Sequence, residues 1–354
     1  MQHNKSLTIV GAGPRGLACA IQAINKFDSI YIIDDEPASS WNYLSTVANF
    51  ELRSPMSFDL VTYCTTNNRE YSLSSILLKQ DVIHYNQQSI EEDNRKLNRV
   101  DFYNYLVTVK DMLKAHTNIH FIYSKVLSIY NNYVELTNNE RIRFDYLILA
   151  QGVKEKVTPT NLKQYKQITN LDIINNNYES LLVVGSGQGA YDIASYLYNK
   201  GVKVGLYINK TPKVHQYPAP SNSIWPSRSA LSNYCANLPS NQSKIRYINN
   251  VKQWGPSITP NNEYLLTTIP IHLNENIRDV ISKYGNRFIS RIGITPINML
   301  GIEPTQITNN FRVKGTNIFV TGLLALLYDG PRVNSIISSS STAMQIMEEI
   351  DASI

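Results

Sequence analysis

The sequence is poor in cysteine, which excludes several kinds of protein. Only three cysteines occur in 354 residues, at Cys19, Cys64 and Cys235. Because they are odd in number and far apart, the chain can form neither a disulfide framework nor a CxxC redox pair. We therefore expect a reducing, cytoplasmic setting, with the three thiols buried or on the surface and not forming an internal dithiol relay.

Long apolar runs and clustered charges are also missing. The stretch "FVTGLLALLY" is among the longest apolar runs, and it is shorter than the roughly 20 residues that span a bilayer. The net charge of +5 comes from Lys and Arg scattered along the chain, without the basic stripe that follows a nucleic-acid backbone. The histidines show no ligand spacing with Cys, Asp or Glu. The sequence therefore predicts no membrane span, no nucleic-acid partner and no metal site.

The remaining composition is that of a globular protein. Hydrophobic residues make up 43% and charged residues 17% of the chain, as in ordinary folded domains. A chain of this length predicts about two domains, each large enough to bury a core.

The N-terminal stretch "LTIVGAGPRGLACA" predicts a strand, a tight turn and a helix. Its three glycines have separate tasks: the first permits the turn, the second lets the backbone approach a pyrophosphate, and the third lets helix and strand pack closely. The helix N-terminus then faces the phosphates with free N–H groups and its positive dipole end. The predicted cofactor contacts in this turn are Gly11, Gly13, Pro14, Arg15 and Gly16.

An acidic residue follows at the distance expected for a ribose ligand. The stretch "SIYIIDDEP" predicts a second strand, and Asp34 at its end lies 23 residues beyond Gly11. A carboxylate about 20 residues after the turn can accept a hydrogen bond from a ribose hydroxyl. Asp35 is the alternative ligand, and both acids could also simply begin a loop.

The stretch "LLVVGSGQGAYDIA" repeats the pattern at residues 181–194, with Gly185, Gly187 and Ala190 in the three small positions. The strand after it, "VKVGLYINK", ends in Lys210 instead of an acid. A cation at this place favours the 2′-phosphate of NADPH over the free hydroxyl of NADH. We therefore predict a second nucleotide fold that binds NADPH, with Lys210 as a contact or, alternatively, as a solvated strand end.

With these two turns the chain resembles the two-dinucleotide-binding-domain flavoproteins, the group of thioredoxin-reductase-like enzymes and flavin-containing monooxygenases. The segments "FDYLILAQGV", "RIGITPINMLG" and "NIFVTGLLALLYDGPRVNSIISSSSTAMQIM" are similar to that group's exit from the FAD fold, its Gly-x-x-Pro closure and its final FAD strand and helix. Gln151 replaces a threonine of the group, and Leu323 stands where many members carry an acid. The resemblance implies flavin contacts at Gly152, Gly322 and Pro331, with the last helix beginning near Pro331.

This resemblance implies an α/β protein with two Rossmann-like dinucleotide-binding folds, the NAD(P)H domain inserted into the FAD domain. The expected division is an FAD-binding domain over residues 1–160, an NAD(P)H-binding domain over 161–300, and the C-terminal part of the FAD domain over 301–354. Alternating apolar residues and Asn-rich turns before Gln151 predict a small antiparallel meander. The group is often dimeric, which leaves a homodimer open for this chain.

Three further stretches resemble the N-hydroxylating flavin monooxygenases: "ELRSPMSFDLVTYCTTNNREYSLSSIL", "RVDFYNYLVTVKDML" and "GSGQGAYDIA". That likeness implies an FAD- and NADPH-dependent enzyme that oxygenates a small amine or thioether through a flavin peroxide, although Phe58 stands where members often carry a substrate-binding lysine. The alternative is a flavin reductase that passes electrons to a partner protein, a quinone or a small disulfide. A third reading is a nucleotide-binding sensor without turnover.

Two more sets of residues are candidates for the inner part of the site. Relatives place a Trp beside the flavin where this chain has Trp41, and Gln188 follows the second glycine turn; plain core packing is the alternative for Trp41. The Pro-, Ser- and Asn-rich residues 213–265 predict a long loop over the cleft. Candidate substrate contacts there, which could instead pack the loop onto its own domain, are His215, Tyr217, Trp225 and Arg228.

Overall fold

A computed structural model describes the chain except for residues 1–4, 48–50, 56–58, 63–65, 80–95, 157, 215–237, 241, 245–256, 259–262, 330–335 and 354. Within the described ranges, strands and helices alternate along most of the chain. Phe58, His215, Tyr217, Trp225, Arg228 and Pro331 lie outside them, as do Cys64 and Cys235.

The strands are short and are numbered in chain order. They are β1 (Ser6–Val10), β2 (Ser29–Ile33), β3 (Glu51–Pro55), β4 (Lys96–Asn98), β5 (Ile119–Ile122), β6 (Val126–Ile129), β7 (Tyr133–Leu136), β8 (Arg141–Arg143), β9 (Tyr146–Leu149), β10 (Val153–Glu155), β11 (Lys166–Gln167), β12 (Ser180–Val184), β13 (Lys203–Ile208), β14 (Lys213–Val214), β15 (Ser257–Ile258), β16 (Ile271–Leu273), β17 (Arg287–Ser290), β18 (Ile294–Pro296) and β19 (Ile318–Val320).

The α-helices among the described residues are α1 (Pro14–Ala23), α2 (Ser39–Val47), α3 (Leu73–Lys79), α4 (Arg99–Lys114), α5 (Asn170–Asn175), α6 (Gln188–Asn199), α7 (Leu265–Thr268), α8 (Ile277–Ser282), α9 (Leu326–Asp329) and α10 (Ile337–Ala352). Short 3-10 turns cover Thr66–Tyr71, Thr160–Leu162, Pro304–Gln306 and Gly322–Ala325. Among the described residues, no helix is both long enough and apolar enough to cross a membrane.

The first sheet joins the two ends of the chain. Its five strands are parallel in the order β19–β9–β1–β2–β5, so a strand from near the C-terminus lies beside strands from the first half. β1 and β9 are almost entirely buried, as parallel strands covered on both faces must be. Helix α1 packs against the last helix, α10, so the C-terminal residues complete the first core.

The second sheet repeats this arrangement with strands from the middle of the chain. Its parallel order is β11–β17–β12–β13–β16, and the strand before the second glycine turn, β12, occupies the same central place as β1. Successive side chains of β12 point to opposite faces. Leu181 and Val183 therefore enter one core, and Leu182 and Val184 enter another.

Smaller sheets complete the fold. Strands β6, β7 and β8 form an antiparallel meander, which confirms the prediction made from the alternating apolar residues and Asn-rich turns. Strands β10 and β18 form an antiparallel ribbon that pairs Val153 with Pro296. Because β10 follows the first sheet's strand β9 and β18 follows the second sheet's strand β17, this ribbon ties the two sheets together.

Candidate functional site

The first glycine turn is held against the neighbouring strand end by backbone packing. Gly11 has φ +104°, and its N–H donates to the Ile33 carbonyl over 2.8 Å. A Cβ at Gly11 would lie 2.3 Å from the Ala150 carbonyl oxygen, and one at Gly16 would lie 1.8 Å from the Gly11 carbonyl oxygen. A Cβ at Gly13 would meet nothing within 4 Å. Gly11 and Gly16 are therefore required by the fold, whereas Gly13 leaves open space beside the N-terminus of α1.

The carboxylate of Asp34 lies at this turn. It accepts hydrogen bonds from the Ala12 N–H over 2.6 Å and from the Glu36 N–H over 3.0 Å. Burial raises the pKa of Asp34, and these two backbone donors act in the opposite direction. Asp35 points into solvent and pairs with Lys125 over 3.3 Å. Of the two acids, only Asp34 faces the glycine turn.

Arg15 connects the first turn to the C-terminal segment. Its guanidinium donates to the hydroxyls of Thr321, over 3.1 Å, and Ser338. Gly322 follows with φ +73°, and a Cβ there would lie 3.5 Å from the Arg15 Cδ. The structure thus brings Gly322 beside the turn that contains Gly11, Gly13 and Gly16. Pro14 is the first residue of α1, where its missing N–H costs no helical bond.

The segment after β9 provides a buried hydrogen-bond acceptor beside the first glycine turn. Gln151 follows Ala150, whose carbonyl contacts Gly11, and the buried Gln151 side-chain oxygen has no hydrogen-bond partner among the residues that the structure describes. A buried acceptor of this kind costs free energy unless a donor reaches it. Gly152 follows with φ +75° and is exposed. The first turn is therefore bordered by Gln151 and Gly152 on one side and Gly322 on another.

Trp41 packs against the first core. Its ring meets Phe102 edge-on, with 4.6 Å between the centroids. Two residues later on the same helix, the Tyr43 hydroxyl accepts a hydrogen bond of 2.6 Å from the Arg291 guanidinium. Helix α2 therefore links the first core to the residue that follows β17 of the second sheet.

The second glycine turn reproduces the geometry of the first. Gly185 has φ +146°, and a Cβ there would lie 2.3 Å from the Arg291 carbonyl oxygen. A Cβ at Gly187 would meet nothing within 4 Å, and Ala190 is completely buried. The pair Gly185–Arg291 thus corresponds to Gly11–Ala150, since each glycine lies against the residue after the neighbouring strand.

A cavity of about 350 Å³ opens beside this second turn. It is lined by the turn residues Gly185, Ser186 and Gly187, by Asn209 after β13, and by Arg291. The Ser186 hydroxyl donates to the Asn209 side-chain oxygen over 3.1 Å. Lys210 is exposed and does not line this cavity. Sequence reasoning named Lys210 at this strand end, and the structure brings Asn209 to the cavity instead.

Gln188 belongs to a polar network that joins two helices. Its amide donates to Asp192 one turn later in α6. The Asp192 carboxylate also pairs with Arg99, at the start of α4, over 2.9 Å. Sequence reasoning missed Arg99 and Asp192; the available signal was an acid inside the otherwise apolar and small "GAYDIA" helix start.

The described residues provide neither a thiol relay nor a metal centre. Cys19 is buried, and burial raises its pKa to about 12. A thiol with this pKa is an inert core residue at neutral pH. Among the residues that the structure describes, no three His, Cys, Asp or Glu side chains meet in a way that could hold a metal ion.

The chain is similar to a known protein family over the region that contains the two glycine turns. The model of the family described as pyridine nucleotide-disulphide oxidoreductase matches residues 8–268. The chain belongs to this family. The matched range includes both glycine turns, the one that begins at Gly11 and the one that begins at Gly185.

A curated relative and two solved structures extend the comparison. The soluble pyridine nucleotide transhydrogenase of Marinobacter nauticus is 24% identical over 217 residues, which cover 58% of this chain and 43% of that protein. The ornithine N-hydroxylase of Kutzneria sp. 744 is 14% identical, with a TM-score of 0.73 and 98% of each chain covered. The cadaverine monooxygenase of Erwinia amylovora is 14% identical, with a TM-score of 0.74 and 98% and 94% of the two chains covered. The match spans less than half of the transhydrogenase, and the two structures show that the whole fold is shared.

Proposed function

We propose that this family member is an FAD- and NADPH-dependent oxidoreductase of the monooxygenase type, which oxygenates the nitrogen of a small amine. The observation that carries the proposal is the pair of glycine turns, Gly11–Ala150 and Gly185–Arg291, built alike at the ends of two parallel sheets. The shared fold with an ornithine N-hydroxylase and a cadaverine monooxygenase supports the same conclusion.

The first turn fits FAD. Gly13 leaves room for a pyrophosphate at the N-terminus of α1, and Asp34 is the ribose ligand in this proposal. The buried Gln151 oxygen, which has no partner within the described part of the chain, offers an acceptor to a donor of the cofactor. Gly152 and Gly322 complete the surroundings. When bound, FAD supplies the hydride acceptor and the oxygen activation that side chains cannot provide.

The second turn fits NADPH. Gly187 leaves room for the pyrophosphate, and the cavity of about 350 Å³ lies beside it. The strand end after β13 carries Asn209 and Lys210 and no carboxylate, so neither of these two residues repels a 2′-phosphate. Asn209 lines the cavity, and the next residue, Lys210, is an exposed cation. We infer that the nucleotide site at the second glycine turn prefers NADPH over NADH.

The remaining contribution of the protein is positioning and exclusion of water. Arg15 ties the first turn to Thr321 and Ser338, which holds the C-terminal segment over the FAD site. The three cysteines form no paired-thiol motif in the sequence, which argues against an internal disulfide as the electron acceptor. In this proposal the electrons pass to oxygen as the external acceptor; one oxygen atom is transferred to the amine nitrogen and the other leaves as water.

Further properties of the chain belong to the same proposal. We assign residues 1–160 and 301–354 to the FAD domain and residues 161–300 to the NADPH domain. The scarcity of cysteine supports a cytoplasmic location. A homodimer is the assembly to test first, by light scattering of the purified protein.

One experiment tests the proposed function. The purified protein, loaded with FAD, is reduced anaerobically by NADPH and by NADH, and is then exposed to oxygen with L-ornithine, L-lysine, cadaverine or a thioether. We expect faster reduction by NADPH and a hydroxylated amine in the mass spectrum. Turnover without oxygen on a quinone or a small disulfide, with no hydroxylated product, would establish the reductase alternative. Failure to bind FAD would contradict both.

A further inference from the structure

Arg291 brings a positive charge to the cavity beside the second glycine turn. The lining of this cavity of about 350 Å³ includes the turn residues Gly185 and Gly187, Asn209 and Arg291. Among the lining residues that the structure describes, Arg291 alone carries a formal charge. A cleft lined by charge of one sign concentrates ligands of the opposite sign. The cavity is therefore suited to an anion.

The place of Arg291 in the second sheet is one where parallel sheets bind ligands. Strands β13 and β17 lie on opposite sides of β12, so the strand order reverses at β12. Ligands of open α/β sheets bind at such a reversal, in the crevice outside the carboxyl ends of the strands. Arg291 directly follows β17, Asn209 directly follows β13, and the glycine turn follows β12 between them. Arg291 therefore lies at this crevice, on the other side of the turn from Asn209.

Packing of the glycine turn does not require an arginine at this position. The contact with the turn is made by the Arg291 carbonyl oxygen, which lies 2.3 Å from the place of a Cβ on Gly185. In the first sheet the carbonyl oxygen of Ala150 makes the same contact with Gly11, also at 2.3 Å. Because every residue has a carbonyl, an alanine is sufficient for this contact. The side chain of Arg291 therefore has another role.

Tyr43 contacts the guanidinium of Arg291 from the first half of the chain. The Arg291 Nη2 donates to the Tyr43 hydroxyl over 2.6 Å, and the Arg291 backbone N–H donates to the Val184 carbonyl over 2.7 Å. Both the backbone and the side chain of this arginine are thus held in place. Arginine has five N–H donors in a planar fork, so one guanidinium can bond a tyrosine hydroxyl and a phosphate at the same time. A cation that is already held loses less entropy when it binds a ligand.

We propose that Arg291 binds the diphosphate of the nicotinamide cofactor, and that Tyr43 is a positioning residue for its guanidinium. The inference rests on the proposed function for the identity of the nucleotide. In that function the 2′-phosphate lies at the strand end that carries Asn209. Arg291 lies on the other side of the turn, which favours the diphosphate as its ligand.

NADP⁺ and NAD⁺ are a matched pair of probes, because both carry the diphosphate and only NADP⁺ carries the 2′-phosphate. Binding of each to the FAD-loaded protein is measured by calorimetry, with weak binding measured by competition against NADP⁺. We expect Arg291→Met to weaken both nucleotides by the same factor, about 10- to 100-fold. Arg291→Lys should restore part of the affinity, because an ammonium keeps the charge and lacks the planar fork.

Arg141 provides the matched control. Its guanidinium carbon lies 5.1 Å from the Tyr133 ring centre, close to the 5.6 Å between Arg291 and Tyr43, but Arg141 is exposed and does not line the cavity. We expect Arg141→Met to leave both nucleotide affinities unchanged.

A double-mutant cycle tests the positioning role of Tyr43. Tyr43→Phe removes the hydroxyl that accepts from Arg291, and we expect it to weaken both nucleotides about two- to fivefold. In the Arg291→Met background the same change should cause no further loss, because the hydroxyl acts through the guanidinium. Additive losses would show that Tyr43 acts independently of Arg291 and would overturn its positioning role.

Two results would overturn the assignment of Arg291. A loss confined to NADP⁺ would place the guanidinium at the 2′-phosphate. Unchanged affinities in an Arg291→Met protein with the circular dichroism spectrum of the wild type would show that the arginine only connects two parts of the fold. If Arg291→Met does not fold, Arg291→Gln decides with the same expected losses, since it keeps a donor for the Tyr43 hydroxyl and removes the charge.

The outcomes also separate this inference from the proposed function. Nucleotide binding that depends on Arg291, without any hydroxylated amine, would preserve the inference and contradict the monooxygenase activity. Hydroxylation of an amine by a protein whose nucleotide affinities do not change in Arg291→Met would preserve the activity and contradict the inference.

Discussion

Arg99 and Asp192 form an ion pair of 2.9 Å, with side-chain exposures of only 14% and 4%. The pair joins α4, which packs in the first core, to α6, which begins at the second glycine turn. Asp192 also accepts a hydrogen bond from Gln188, the first residue of α6. The ion pair between α4 and α6 is therefore connected by hydrogen bonding to the N-terminus of α6.

The first prediction concerns this pair. Arg99→Met leaves the Asp192 carboxylate buried without its cation, so we expect a loss of about 3–5 kcal/mol in the free energy of unfolding. The measurement is urea unfolding followed by circular dichroism. The control is Arg141→Ala, which removes an exposed pair with Glu135 and should cost about 0–1 kcal/mol. Equal effects of the two variants would contradict the structure.

The second prediction separates two glycines of the first turn. Gly11→Ala places a Cβ 2.3 Å from the Ala150 carbonyl oxygen at φ +104°, so we expect a loss of about 2–6 kcal/mol in stability. Gly13→Ala meets nothing within 4 Å. We expect it to fold with unchanged stability and to lose FAD affinity at least tenfold, as measured by the retained flavin absorbance. Full FAD binding by Gly13→Ala would show that the cofactor does not approach this turn.

The third prediction distinguishes the two neighbouring acids. Asp34→Asn keeps one acceptor oxygen in place of two at the glycine turn, and we expect it to weaken FAD binding about tenfold. Asp35→Asn removes only the exposed pair with Lys125 and should leave the affinity unchanged. Fluorescence titration of the apoprotein with FAD measures both variants. The reverse order of effects would make Asp35 the ribose ligand.

The fourth prediction concerns NADPH preference. Asn209→Asp places a carboxylate at the cavity beside the second turn, where it repels a 2′-phosphate and can accept from a ribose hydroxyl. We expect KM for NADPH to rise about tenfold or more and KM for NADH to fall. Lys210→Ala should have a smaller effect, because Lys210 does not line the cavity. Steady-state NAD(P)H oxidation measures both; a larger effect at Lys210 would show that the lysine contacts the phosphate.

The fifth prediction is a pH dependence of stability caused by Asp59. This buried carboxylate accepts from the N–H groups of Val61, over 2.9 Å, and Leu73, over 2.8 Å, and burial raises its pKa to about 6. Between the unfolded value of 3.8 and about 6 the native state binds more protons than the unfolded state. Stability from this group therefore falls as pH rises through that window, by about 3 kcal/mol in order of magnitude.

The measurement for Asp59 is urea unfolding between pH 4 and 7 for the wild type and Asp59→Asn. The variant cannot titrate at this position, so its stability should decline less across the window. Parallel pH profiles for the two proteins would show that Asp59 has an ordinary pKa in the folded state.

The glycine turns were predictable because their requirements are local. The order of strand, glycine turn and helix depends on the residues between Leu7 and Ile21, and the structure forms β1, the turn and α1 there. The strand, glycine turn and helix at residues 181–194 were predictable for the same reason. The positive φ of Gly11 and the close approach of Gly16 to the Gly11 carbonyl arise within a few residues of chain, so the pattern by itself predicted the two glycine-turn units and their likeness.

The choice between neighbouring residues required the tertiary structure. Asp34 and Asp35 are adjacent in sequence, and only the approach of the Ala12 N–H to one carboxylate separates them. Asn209 and Lys210 are likewise adjacent, and only the position of the cavity shows which one lines it. The sequence left the role of Trp41 open; the structure shows that its ring contacts Phe102, and its contact with a flavin stays a prediction.

What the sequence by itself determined is therefore the kind of unit and its number: two strand–glycine turn–helix elements and a meander, in a chain without a CxxC motif. Only the tertiary structure decided which distant residues meet, such as Arg99 with Asp192, Tyr43 with Arg291 and Lys244 with Tyr328. The physical reason is range: backbone sterics and hydrophobic periodicity act over a few residues, whereas a buried charge is compensated by groups that chain folding brings from far away.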